Sequence, residues 1–339
     1  MKEALLWNRS AGGVAVCCLC AHRCHIQPGK RGICAVREND GGTLYSRVYG
    51  RAIAEHVDPV EKKPLYHFLP SSATFSVATI GCNFKCDFCQ NWSISQASGL
   101  RGGAGEDGQG SDLTPRRVVE NALGHKCESV SFTYTEPTVF LEYALDTAKI
   151  AKGEGLKTVF VSNGYMTLEC LREIGPYLDA CNIDLKSFRG DFYRKYCGAS
   201  VEPVLESLKA IRAAGIWLEV TTLLIGGEND SDGELGELAG FIAGELGRDT
   251  PWHVSRFFPQ YRMADRPPTE VSSIERAVRI GRDAGLLYVY AGNVDFAQDT
   301  VCPGCGEAVI RRYGYRTDAA GIDAGRCGRC GARISGIFF

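Results

Sequence analysis

The side chains with the most chemistry to offer are cysteines, sixteen in all, most of them gathered in three groups. Cys82, Cys86 and Cys89 lie in the run GCNFKCDFCQNW, Cys17, Cys20, Cys24 and Cys34 near the amino end, and Cys302, Cys305, Cys327 and Cys330 near the carboxyl end. Tight thiol clusters in a 339-residue chain that opens without a basic stretch and apolar core point to metal, not to the disulfide framework of a small secreted protein. The middle group reads C-x3-C-x2-C and supplies three thiolates where a [4Fe–4S] cluster takes four, which leaves one iron with an open position. The same logic keeps one position free on a catalytic zinc. A structural zinc or iron that borrows a distant fourth ligand is the competing reading.

The carboxyl-terminal group consists of two knuckles, CPGC and CGRC, whose four thiolates would close a tetrahedral shell. That predicts a structural, zinc-ribbon-like module, with a rubredoxin-like iron or an auxiliary cluster as alternatives. The amino-terminal group is less easily read, because Cys18, His22 and His25 compete as ligands, and zinc and a second iron–sulfur cluster stand equal. Cys127, Cys170, Cys181 and Cys197 are scattered, and buried inert thiols are the simplest account of them.

Elements must position these groups. Short β-branched or aromatic runs at 75–80, 129–134, 157–162, 180–185, 217–224, 252–257 and 287–290 alternate with stretches of helical period, the pattern of parallel strands joined by crossover helices. Thr114 followed by Pro115 predicts a capped helix start, and 201–214 predicts a helix stopped by Gly215. The expected fold class is α/β, a full or partial (β/α) barrel with small cysteine-rich metal-binding modules at both termini; a doubly wound sheet is the alternative. The expected division is 1–50 for the first module, 51–74 for a linker or docking segment, 75–295 for the barrel and 296–339 for the second module. Chemistry in such folds sits at the carboxyl ends of strands. Cys82, Glu136, Asn163, Asp184 and Lys186 all fall at or just after those ends. The glycine-rich stretch 99–112 reads as a loop, and its G-x-G-x-x-G match at Gly103, Gly105 and Gly108 neither follows a strand nor opens a helix, so it reads as coincidence.

A formal net charge of −2 and the lack of any Lys/Arg block argue against a nucleic-acid partner. No apolar run approaches the ~20 residues of a membrane span. A cytoplasmic protein with neither membrane nor nucleic acid as partner is the expectation.

The C-x3-C-x-aromatic-C run, with Phe88 before Cys89, resembles the signature of radical S-adenosylmethionine (radical SAM) enzymes. A closer resemblance, to the pyruvate formate-lyase activating-enzyme-like group and especially to the radical enzyme of the AmmeMemoRadiSam system, is carried by VDPVEKKPLYHFLP, GCNFKCDFCQNW, YTEPT, VSNGY, NIDLKSF, TTLLIGGEND and the terminal cysteine sets. It implies a [4Fe–4S] cluster on Cys82, Cys86 and Cys89, an open iron chelated by S-adenosylmethionine, and a 5′-deoxyadenosyl radical that abstracts hydrogen from a protein, peptide or metabolite. It also implies an external one-electron reductant of flavodoxin or ferredoxin type.

The resemblance further implies cofactor contacts for Phe88, Glu136, Asn163, Asp184, Lys186 and His253. Glu136 stands in Tyr134-Thr135-Glu136-Pro137, where the family usually has Gly-Gly-Glu-Pro, and would meet the cosubstrate's ammonium. Asp184 and Lys186 match an Asp-x-Lys motif whose aspartate helps to hold a monovalent cation; a mutual ion pair is the plainer alternative. His253 matches a histidine near the adenosyl group. Two activities compete within the resemblance, radical tailoring of a substrate and activation of a glycyl-radical protein. Outside it, an iron and zinc scaffold or electron carrier remains.

Overall fold

Eight strands make one sheet in the computed structural model, which describes residues 1–96, 110–295 and 298–339. They are β1 (Ala54–Pro59), β2 (Ala73–Ala78), β3 (Ser129–Phe132), β4 (Lys157–Ser162), β5 (Ala180–Asp184), β6 (Trp217–Leu224), β7 (Trp252–Arg256) and β8 (Val289–Gly292). Each lies beside its neighbour in sequence. From β2 to β8 every pairing is parallel, and only β1 runs antiparallel, against β2. The edges β1 and β8 do not pair with each other, so the sheet is a partial (β/α) barrel and not a closed one.

Helices α1 (Pro115–Gly124), α2 (Leu141–Gly153), α3 (Leu168–Ile174), α4 (Glu202–Ala213), α5 (Asp232–Phe241) and α6 (Val271–Asp283) make the crossovers. The start of α1 is as the sequence predicts: the Thr114 side chain accepts from the Arg117 N–H behind Pro115. No helix among the described residues is long and apolar enough to cross a membrane.

The segment 51–74, expected as a linker or docking segment, contributes an edge strand to the sheet. It supplies β1 and then turns under the sheet, where Val60, Leu65, Phe68 and Leu69 pack on Val159, Ala180 and Trp217. Ile337 from the carboxyl-terminal module joins this floor, and its N–H donates to the His67 carbonyl at 2.8 Å. His67 locks the contact from its ring as well: Nδ1 is 2.7 Å from the Ser335 carbonyl and Nε2 is 2.6 Å from the Tyr290 hydroxyl. Most of the glycine-rich stretch, including Gly103, Gly105 and Gly108, lies outside the described residues; its end, Ser111–Asp112, pairs with Arg51–Ala52.

The first fifty residues form two small antiparallel sheets laid against the barrel. Their anchor is a buried ion pair between Arg37 and Glu142 of α2, both side chains 1% exposed. Backbone contacts add to it, with Ala21 N–H donating to the Tyr165 carbonyl and the Thr167 hydroxyl donating to the Cys18 carbonyl.

Candidate metal and cofactor site

The chain leaves the top of β2 at Ala78 and enters the loop that carries Cys82, Cys86 and Cys89. Gly81 holds the entry at φ +95°; a Cβ there would fall 2.6 Å from Val36 Cγ1 and 2.9 Å from the Cys34 carbonyl, so only glycine fits. Further along, the Lys85 and Asp87 N–H groups donate to the carbonyls of Cys197 and Tyr196. Phe84 and Phe88 are buried, Phe84 edge-on to Tyr165 at 5.1 Å and Phe88 tilted on Phe192 at 5.9 Å. The loop is thereby fixed at both its backbone and its aromatic side chains.

The three thiols sit where a bare thiolate is unfavourable. Burial pushes Cys82 well above the usual thiol range, helped by the Glu136 carboxylate. A hydrogen bond with the Cys197 thiol, then burial, does the same to Cys86, and burial raises Cys89. Lys186 supplies the positive charge opposite them. Burial opposes its ionisation, but Asp184 and the Cys86 and Cys197 thiols hold it well above the usual lysine range. Such thiols give up their protons to a bound cation, which is how metal and thiolate stabilise each other.

Among the described residues, only Cys302, Cys305, Cys327 and Cys330 bring three or more His, Cys, Asp or Glu ligand atoms close enough for a single ion. The three thiols of the Cys82 loop are not drawn together in this way, and a cubane cluster spaces its thiolates more widely than a single ion does. The Asn83 side-chain nitrogen beside Cys82 is buried without a partner, a donor free to meet a cluster sulfide. The donor set fits a [4Fe–4S] cluster with one iron uncovered.

The structure brings most of the sequence-selected residues to this loop. Asn163, following β4, places its side-chain nitrogen 2.7 Å from Asn83 Oδ1 and 3.8 Å from Cys82 Sγ. At the end of β5, Lys186 Nζ is 2.8 Å from Asp184 Oδ2 and 5.8 Å from the Phe88 ring centroid. The mutual ion pair is thus present, and it meets the Asp184 charge for which the resemblance implies a monovalent cation.

Glu136 is 1% exposed; its Oε1 accepts from the Thr138 N–H and hydroxyl and the Ser162 hydroxyl, and its Oε2 accepts from the Asn163 N–H. Glu136 thereby ties the β3 and β4 loops together, and Oε2, with one donor, keeps a lone pair. His253 lies in another part of the barrel. Second residue of β7, it is 3% exposed, bonded to Glu219 at 2.6 Å and enclosed by Tyr66 and Tyr290. Its partners belong to the floor network around His67, not to the cysteine loop.

Sequence reading missed the support under Tyr134. This residue takes φ +66°, a left-handed conformation costing about 1–2 kcal/mol for a residue with a Cβ, at a place where the family usually has glycine. Its hydroxyl donates to Asp58, which also accepts from Lys62 and Lys63, and the Lys63 ammonium lies 4.8 Å from the Tyr134 ring centroid. The signal was the charged run VDPVEKK, legible only once β1 is known to line the sheet.

At the carboxyl end, Cys302 and Cys330 stand 3.6 Å apart and Cys305 and Cys327 3.7 Å apart. Zn–S bonds of about 2.3 Å in a tetrahedron put sulfurs about 3.8 Å from one another, so this set can chelate one ion. The amino-terminal Cys17, Cys20, Cys24 and Cys34 share one cavity without closing on a single point.

A partial barrel of parallel strands with a three-thiol loop after its first parallel strand defines a class, and comparison agrees. Residues 76–242 match the radical SAM superfamily model. The chain carries a radical SAM domain, the unit of S-adenosylmethionine-dependent radical chemistry. An uncharacterized protein of Methanocaldococcus jannaschii is 41% identical over 338 residues, covering 98% of this chain and 99% of its own length. The pyruvate formate-lyase-activating enzyme of Clostridium pasteurianum is 23% identical over 168 residues, 48% of this chain and 66% of that protein. Streptococcus suis SuiB shares the fold at a TM-score of 0.50 with 13% identity, covering 69% of this chain and 51% of SuiB.

Proposed function

We propose that Cys82, Cys86 and Cys89 hold a [4Fe–4S] cluster whose open iron binds S-adenosylmethionine, and that this chain is a radical tailoring enzyme acting on a protein, peptide or metabolite. The observation that carries the reading is the meeting, on one buried loop, of three thiols, the Lys186 ammonium and the unpartnered Asn83 nitrogen. When bound, the cluster and S-adenosylmethionine supply reductive cleavage of the sulfonium bond, giving a 5′-deoxyadenosyl radical that takes a hydrogen atom from the substrate.

The chain's own residues orient and enclose that chemistry. Phe88 and Phe84 exclude water from the thiols. Asn163 and Asn83 offer amide donors and acceptors beside Cys82, and Lys186, held by Asp184, places a fixed positive charge near Cys86 and Cys89. Glu136 positions the β3 and β4 loops, and His253 belongs to the floor. The carboxyl-terminal cysteines hold a structural zinc in a ribbon-like module. The amino-terminal cysteines form a further metal site, and an external flavodoxin or ferredoxin-type carrier supplies electrons. Among radical SAM groups, the motifs and both terminal cysteine sets favour the AmmeMemoRadiSam type.

A second reading, activation of a glycyl-radical protein, is favoured by the similarity to a pyruvate formate-lyase-activating enzyme. Anaerobic reconstitution followed by reduction with S-adenosylmethionine tests the first step for both. The full chain should release 5′-deoxyadenosine, and Cys82→Ala, Cys86→Ala and Cys89→Ala should each abolish it; release of none by the wild type would leave a metal scaffold. A stable glycyl radical appearing on a co-purified partner protein would select the second reading.

A further inference from the structure

The amino-terminal cysteines differ from the carboxyl-terminal set in a way that bears on which metal they hold. Cys17, Cys20, Cys24 and Cys34 line one cavity with apolar walls that include Leu19, Ile26 and Val139. Their sulfurs are not gathered for a single ion, although the carboxyl-terminal four stand within 4.8 Å of one another. In this they match the Cys82 loop. Hydrogen-bond donors are already built into the wall: Arg37, 1% exposed and ion-paired to Glu142, puts Nη1 3.1 Å from Cys17 Sγ, and its Nε is buried with no partner. A donor on one thiol and a spare donor beside it suit the thiolates and sulfides of an all-cysteinate cluster.

The cavity is joined to the Cys82 loop on both sides of Cys82. His22, between Cys20 and Cys24, has Nε2 2.9 Å from the carbonyl of Asn83. The Cys34 carbonyl is packed so closely against Gly81 that no Cβ fits between them. On its other side the cavity wall reaches the surface, where Ile33 is 46% exposed and Cys24 half-buried.

We propose that Cys17, Cys20, Cys24 and Cys34 hold a second iron–sulfur cluster that passes electrons, one at a time, to the site at Cys82, Cys86 and Cys89. The metal assignment rests on these cysteines alone; the relay rests also on the function proposed above. In each transfer the amino-terminal cluster is oxidised by one electron and the Cys82 site is reduced by one. A low-potential flavodoxin or ferredoxin-type carrier restores the first cluster. A covalent and hydrogen-bonded route runs through His22 and Asn83.

The test is metal analysis and low-temperature EPR on the full chain, reconstituted anaerobically and reduced. The expected wild-type content is about eight irons, about eight acid-labile sulfides and about one zinc per chain. The Cys82→Ala/Cys86→Ala/Cys89→Ala variant should keep about half of the iron and a reduced-cluster signal that S-adenosylmethionine does not perturb. About two zincs per wild-type chain would overturn the proposal, a reading that does not depend on any variant folding; so would about four irons in the wild type that are all lost from the triple variant. Equal iron in wild type and triple variant would instead remove the Cys82 assignment, leave the amino-terminal cluster standing and overturn the relay. His22→Phe should leave iron unchanged and slow reduction of the Cys82 site by a flavodoxin several-fold; an unchanged rate would overturn the relay.

Discussion

The phenol of Tyr134, at the top of β3, donates a hydrogen bond to the carboxylate of Asp58 in β1, and the two lysines that follow β1 close on the same carboxylate. A side chain from the edge strand thereby holds a left-handed residue in the turn between β3 and Glu136.

Tyr134→Phe should destabilise the fold by about 1–3 kcal/mol in urea unfolding, because the buried carboxylate loses a donor. Tyr134→Gly should recover part of that loss by relieving the left-handed strain. Burial works to raise the Asp58 carboxyl, but Lys62, Lys63 and Tyr134 outweigh it and hold the group well below the usual carboxylate range. Its contribution is therefore complete above the unfolded value of about 4 and disappears as pH falls toward the folded one. Asp58→Asn should flatten this acid limb of the stability profile.

His67 makes a second, separable pH dependence. Burial pushes its ring down to about 4, while Glu219, despite burial, is pulled to about 2 by His253 and His67. On acidification the unfolded chain takes up the His67 proton first, so stability falls between about 6.5 and 4 and is full above that window. Glu219 adds a further loss from about 4 downward. Thermal melts at pH 7 and pH 5 should differ by on the order of 2 kcal/mol more in the wild type than in His67→Gln. Equal pH slopes in the two proteins would show that the floor contact does not titrate.

Lys186→Met should leave iron content unchanged and make the proposed cluster at Cys82 harder to reduce. The ammonium near Cys86 and Cys89 favours the more negative, reduced state, and its removal should cost about 1–3 kcal/mol of that preference. A spectroscopic redox titration reads the shift; no movement to lower potential would detach Lys186 from the metal.

Glu136→Gln separates a positioning role from a direct contact. An amide nitrogen facing the Asn163 N–H leaves donors opposed in a buried turn, so stability should fall by about 1–3 kcal/mol, and a KM for S-adenosylmethionine little changed once folded protein is counted is the outcome of positioning alone. A large rise in KM at unchanged stability would restore Glu136 as a direct contact.

The parallel strands were legible because each is an apolar run long enough to stand out between helical stretches. β6 occupies 217–224 as expected, and β2 begins two residues before the expected start. β1 was hidden by its position. An antiparallel edge strand with Glu55, His56 and Val57 exposed has no continuous apolar pattern, and Pro59 at its end imitates a break. The cysteine loop could be read from spacing alone, and Asn163, Asp184 and Lys186 from their places after strand ends. Glu136 and His253 could not be judged that way. What a buried carboxylate or imidazole faces depends on neighbours far along the chain, here Ser162 and Asn163 for one, Glu219 and Tyr66 for the other.

Ile337 pairs with Phe68 and exchanges hydrogen bonds with His67 and Leu69. During synthesis, then, the floor laid by Val60, Leu65, Phe68 and Leu69 lacks its last cover until a segment about 280 positions downstream of β1 has left the ribosome. Chaperones would meet a barrel whose floor is only partly covered, and a nascent chain arrested before residue 335 would carry every thiol named above yet lack the Ile337 contact beneath the sheet.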